Sequence, residues 1–205
     1  YSGVNTDVRC GCVDYFRLGR NLSHAFTDTG WEQGPCGETL FQFALAESLC
    51  KELDKPAAYC NDWSRTPRVK WYDYFTRVKS LYGVNWFAIF IGNGFNERHS
   101  LFPDDPYWLD VARNATGLNQ LAEYLGDGAE PAADTAVWFG WEGLTTLSGR
   151  YRYLLRLFQP SLYNLSQTAL DSGRFFDFVS DRALGEARIE DGRLVVNNRS
   201  YTRLI

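Results

Sequence analysis

Residues able to move protons or grip a polar ligand gather behind segments that read as β-strands. Asp14, Glu32, Asp62 and Glu97 each follow such a segment, and His24, Asn96 and His99 lie in the same polar excursions. Trp31 precedes Glu32 and Trp63 follows Asp62, with Trp108 further along. Indole rings offer an apolar face with a polar edge, which suits stacking against the C–H face of a sugar. Each carboxylate also has a plain structural alternative. Asp62 fits an Asx turn or helix cap, Glu32 a solvated loop, Glu97 an ion pair with Arg98, and Asp14 a pair with Arg17 or Arg20. Two isolated His without partner spacing make no metal set, so no metal is expected. Gly92 and Gly94 lack the Lys and spacing of a phosphate loop, and no cysteine carries a nucleophile signature, so no cofactor is expected.

The elements that must position these groups alternate. Thr6 to Val13 reads as a strand leading into Asp14, and Leu18 to Glu38 as a long polar loop. Thr39 to Leu53 has apolar residues at helical spacing; Ala57 to Cys60 is a short strand that opens into Asn61-Asp62-Trp63. Val69 to Tyr82 is the next helix. It leads to Trp86–Ile91, an apolar run read as the inner strand of a sheet and ending in Gly92-Asn93-Gly94. Strand, helix, strand with a polar loop after each strand indicates βα units and a parallel sheet. Both barrel and open-sheet enzymes keep their sites at the carboxyl ends of such strands. Further on, a helix is expected over Tyr107 to Leu125 and a strand over Ala133 to Phe139. A helix over Arg150 to Ser172 should be kinked or broken at Pro160, and a strand follows over Phe175 to Ser180. Asp191-Gly192 marks a tight hairpin turn. Gly126 to Pro131 reads as a linker, dividing the chain into 1–128 and 129–205.

Composition excludes several classes. A formal net charge of −4 argues against a nucleic-acid partner. No apolar segment approaches the roughly 20 residues of a membrane span. Five cysteines leave at least one thiol unpaired within the chain, and buried free thiols are expected. Asn-x-Ser/Thr triplets at Asn21, Asn114, Asn164 and Asn198 lean toward a secreted or periplasmic setting. The chain starts at Tyr1, holds no Met, and closes on Tyr201 to Ile205, which reads as a strand cut before its connection. It is therefore expected to be a processed product or a fragment of a longer polypeptide.

In order, the chain reads GVNWFAIFI, a loop with PDDPYW, a helix ending in LAEYLGDG, then ADTAVWFGWEG, a helix, FFDFVS, and ARIEDGRLVVNNRSYTRLI. That order resembles the junction in multidomain glycoside hydrolases of the β-galactosidase and α-L-rhamnosidase kind. The resemblance implies an α/β chain: the later part of a (β/α)8-type barrel joined to the start of a flavodoxin-like α/β domain. It also implies cleavage of a glycosidic bond by paired carboxylates, one a protonated acid and the other a nucleophile or base. Their separation of roughly 5 Å or roughly 6.5–9.5 Å decides the stereochemistry. Asp62, Glu97 and Glu32 are the expected catalytic residues; Asp14, His24, Trp31, Trp63, Asn96 and His99 are expected to hold the carbohydrate. Glu142 falls beyond the barrel part and is set aside. Members of that family often carry a Glu where this sequence reads Cys60-Asn61-Asp62, so either Asp62 stands in for it or the site is lost. Two functions follow, a glycoside hydrolase and a non-catalytic carbohydrate-binding or structural relative. The expected partners are carbohydrate and either the remainder of a longer polypeptide or sister chains.

Overall fold

The computed structural model describes residues 15–21, 26–30, 37–55, 59–63, 77–78, 80–83, 86–89, 113–114, 116–117, 120, 132–140 and 152–205. Within them the chain is a mixed α/β fold built on parallel sheets. Helix α1 (Tyr15–Gly19) precedes strand β1 (Phe26–Gly30), helix α2 (Gly37–Leu53), strand β2 (Tyr59–Trp63) and strand β3 (Trp86–Ile89). The three strands form one parallel sheet in the order β1-β2-β3. Strand β4 (Ala133–Phe139), helix α3 (Arg152–Ser172) and strand β5 (Phe175–Ser180) follow, with β9 (Arg203–Leu204) added parallel on the other side of β4. A short helix α4 (Asp181–Gly185) leads into an antiparallel meander of β6 (Arg188–Glu190), β7 (Arg193–Val196) and β8 (Arg199–Tyr201).

Helix α2 is central because its sequence, LFQFALAESLC, is apolar nearly all round, which marks a helix buried on every side. Every residue from Leu40 to Cys50 is buried. The helix packs on α3 and β5, and also touches α1 and β1. Phe41 meets Phe178 edge-on at 5.4 Å between centroids, and Phe178 lies 5.3 Å from Phe139 and 4.9 Å from Phe176. This apolar cluster draws on Phe16, α2, Val78, Tyr82, β4, α3 and β5, so side chains from both sides of residues 128–129 share it. A second cluster, Ala136, Val179, Ala183, Val196 and Tyr201, fills the opposite face of β4 and β5.

Several expectations change. The stretch read as a loop from Leu18 to Glu38 contains β1, whose FTDTG lacks an apolar run and becomes a strand through pairing with β2. The strand expected over Ala57 to Cys60 runs on as Tyr59–Trp63, because pairing on both sides carries it through Asn61 and Asp62 and pairing with β1 carries it to Trp63; Ala57 and Ala58 lie outside the described residues. The inner strand of the sheet is β2; β3, like β1, is an outer strand among the described residues. Directly after Asp14 the chain is helical, as α1. Helix α3 passes through Pro160 without a break. Pro160 is exposed, where water can satisfy the carbonyl that loses its N–H partner. Residues 77–78 and 80–81, and 113–114, 116–117 and 120, are helical, within the helices expected there. The Asp191-Gly192 turn has φ of 50° and 75°, the pair of positive angles that a two-residue hairpin needs.

Candidate functional site

Sheet pairing brings the carboxyl ends of β1, β2 and β3 to one edge. Thr29 stands level with Asp62, which is level with Ile89 on the other side; Gly30 stands level with Trp63. Asp62 and Trp63 are thus the last two residues of the middle strand, not members of a loop behind it. Asp28, a further carboxylate in β1, is level with Asn61. It was hidden because its stretch reads as a loop. Asp14, His24, Trp31, Glu32, Asn96, Glu97 and His99 lie outside the described residues, as does Trp108. In sequence, Trp31 and Glu32 come directly after the last residue of β1.

A second polar assembly lies at the seam between α2 and β5, and no residue in it drew notice in the sequence. Strand β5 is an outer strand among the described residues, so alternate N–H groups face away from β4. The Phe178 N–H donates to Ser48 Oγ at 2.8 Å, and the Ser180 N–H donates to Glu52 Oε2 at 3.0 Å. The spacing fits: four residues of helix rise about 6 Å, and two of strand about 6.6 Å. Helix α2 therefore satisfies the open edge of β5 with two side chains one turn apart. Ser180 closes the chain of bonds, its hydroxyl donating to Glu52 Oε1 at 2.6 Å while accepting the Ala183 N–H at 3.1 Å as the N-cap of α4. Burial raises the Glu52 carboxyl above its ordinary value, against the lowering by the Ser180 donors and by Arg20 and Arg182.

One residue earlier on α2, the Lys51 ammonium lies 2.8 Å from Asp177 Oδ1 and 4.0 Å from Glu47 Oε1, with its side chain 4% exposed. Tyr201 donates to the other Asp177 oxygen at 3.0 Å. A carboxylate buried in mid-strand must be met this way, since an unpaired buried charge costs several kcal/mol. The one available signal was the charge inside FFDFVS.

Cys50 is buried and is not part of a disulfide. Among the described residues no His, Cys, Asp or Glu group is arranged to hold a metal ion, and no helix is long and apolar enough to cross a membrane.

No family model matches the sequence, and no curated protein matches it. A solved structure does: Gan42B, a GH42 β-galactosidase, superposes with a TM-score of 0.57 over 82% of this chain, at 13% identity. The fold is glycoside hydrolase-like. This chain spans 28% of the length of that β-galactosidase.

Proposed function

We propose that the chain is the late-barrel and junction portion of a glycoside hydrolase, with its sugar site at the carboxyl edge of β1-β2-β3. The observation that carries this reading is the in-register parallel sheet that ends in Asp62 and Trp63, within a fold shared with a GH42 β-galactosidase. Adjacent strands lie about 4.8 Å apart, so carboxylates on neighbouring or next-neighbouring strand ends start at about 5–10 Å, the range that glycoside hydrolysis uses. In this reading Asp62, Glu97 and Glu32 supply the acid and its partner carboxylate. Asp14, His24, Trp31, Trp63, Asn96 and His99 hold the carbohydrate. Residues 1–128 form late βα units of a TIM-type barrel. Residues 129–205 begin a flavodoxin-like domain, a reading supported by parallel pairing in the order β5-β4-β9 around α3.

The non-catalytic alternative rests on Asp62 itself. Its carboxylate is one methylene, about 1.5 Å, shorter in reach than the Glu that the family often carries there. The test is a panel of nitrophenyl glycosides assayed on the longest natural polypeptide that carries this sequence, with calorimetric titration of the matching free sugars. Turnover that falls in Asp62→Asn or Glu97→Gln supports the hydrolase. Binding without turnover supports the non-catalytic relative. Neither binding nor turnover defeats both.

A further inference from the structure

The Asn-x-Ser/Thr triplets at Asn21, Asn114, Asn164 and Asn198 play no part in the sugar site, and the fold tells them apart. Such a triplet is the acceptor for an N-linked glycan. It is read through the Asn amide and the hydroxyl two residues on, and the glycan needs open solvent. Residues two apart on a helix sit about 200° apart round its axis, so they do not face one way. Along an extended chain they lie on one side. Asn164 lies within α3, and Ser166 is buried, its hydroxyl donating to the Leu162 carbonyl at 2.9 Å. Asn114 and Thr116 are helical as well. Asn21 is exposed, but Leu22 and Ser23 lie outside the described residues. Asn198 is different. Val196 pairs with Arg199 across the β7–β8 hairpin, so Asn197 and Asn198 are its two turn residues. Asn197, at φ 52°, is tied to the fold, its side-chain amide donating to the Glu52 carbonyl at 3.0 Å. Asn198 is exposed. On the strand that follows, Arg199 is half-buried, Ser200 exposed and Tyr201 buried, so Asn198 and Ser200 stand on the solvent side together. Arg193 braces Ser200 from the paired strand, at 3.1 Å to its hydroxyl and at 3.1 Å to its carbonyl oxygen.

We infer that Asn198, at the tip of the β7–β8 hairpin, is an N-glycosylation site of this chain. The donor is a lipid-linked oligosaccharide pyrophosphate. Asn198 Nδ2 forms the bond to the anomeric carbon, and the bond from that carbon to the pyrophosphate oxygen breaks. The lipid pyrophosphate leaves, the amide nitrogen gives up one proton, and neither oxidant nor reductant is required. The inference rests on a secretory route for the parent polypeptide, the setting toward which the triplets lean, and is independent of the hydrolase reading.

The test is peptide mapping after amidase removal of N-glycans in heavy-oxygen water, which leaves a labelled aspartate wherever a glycan stood. It is run on the natural polypeptide isolated from its source, and on the same polypeptide secreted from cultured eukaryotic cells behind a heterologous leader. The expected result is a glycan on Asn198 in both, with occupancy at least about fivefold that at Asn114 or Asn164. Ser200→Ala, which keeps Asn198, should remove the glycan, and Ser200→Thr should retain it. Equal or higher occupancy at Asn164, or occupancy unchanged in Ser200→Ala, overturns the choice of site. A bare Asn198 in the natural polypeptide also overturns the proposal; where the secreted protein carries the glycan, that outcome faults the route and not the geometry.

Discussion

Asp177 and Asp62 stand in short parallel strands of similar make-up, Phe176-Asp177-Phe178 in β5 and Asn61-Asp62-Trp63 in β2. Asp177 is in mid-strand, is buried, and is met by Lys51 at 2.8 Å and by Tyr201 at 3.0 Å. Asp62 is the penultimate residue of its strand, and the chain runs on into Ser64-Arg65-Thr66. Position along the strand separates their uses. A mid-strand carboxylate has to be answered by side chains of neighbouring elements and becomes a strut, whereas one at the carboxyl end is placed at the mouth where α/β folds do chemistry. The same residue type thus serves structure in one sheet and, in our proposal, function in the other.

Removing the strut's cation should give the largest effect. Lys51→Met leaves Asp177 buried without its ammonium, and a loss of about 3–5 kcal/mol is expected in denaturant unfolding. A loss under about 1 kcal/mol would make the pair incidental. Next comes Gly83→Ala. Gly83 has φ +80°, and an added Cβ would lie 2.5 Å from Glu47 Oε1, so backbone strain and the displaced carboxylate together should cost about 1–3 kcal/mol. Ser48→Ala strips the acceptor from the Phe178 N–H and should cost about 1–2 kcal/mol, with faster amide exchange at Phe178 as its specific signature.

Glu52 gives a smaller, pH-dependent effect. Its folded pKa is raised above 4.5, chiefly by burial. A carboxyl shifted in that direction contributes stability below its unfolded pKa, and the contribution is lost as pH rises through the folded value. The stability of the wild type minus that of Glu52→Gln should therefore decline as pH rises above the ordinary carboxylate range, read from thermal midpoints at each pH. A difference that grows as pH rises would reverse the assigned cause.

Much of the seam's framework was legible in the sequence, but its bonding was not. Helix α2, strands β4 and β5, and the Asp191-Gly192 turn rest on local signals: helical spacing, short apolar runs, and a residue pair suited to positive φ. Strand β1 could not be read because FTDTG has no apolar pattern, and its extended form depends on β2, about thirty residues on in register. The same pairing carries β2 past Cys60 into Asn61 and Asp62, residue types that are depleted in strands. The match of Ser48 and Glu52 to Phe178 and Ser180 links positions about 130 residues apart, so no local window contains it. At the candidate site, Asp62 and Trp63 were singled out from residue type and position, while Asp28 was not, because the strand that holds it reads as a loop.

Asp62→Asn sits at the other end of the comparison with Asp177. In our proposal its carboxylate serves chemistry and not support, so the substitution should alter stability by no more than about 0.5 kcal/mol. The deciding measurement is glycoside turnover by this variant beside the wild type, with the unfolding midpoints of both recorded. We expect turnover to fall roughly 10²–10⁴-fold with the midpoint unchanged. Equal turnover in the two proteins, or a variant as unstable as Lys51→Met, would contradict the assignment of Asp62 to chemistry.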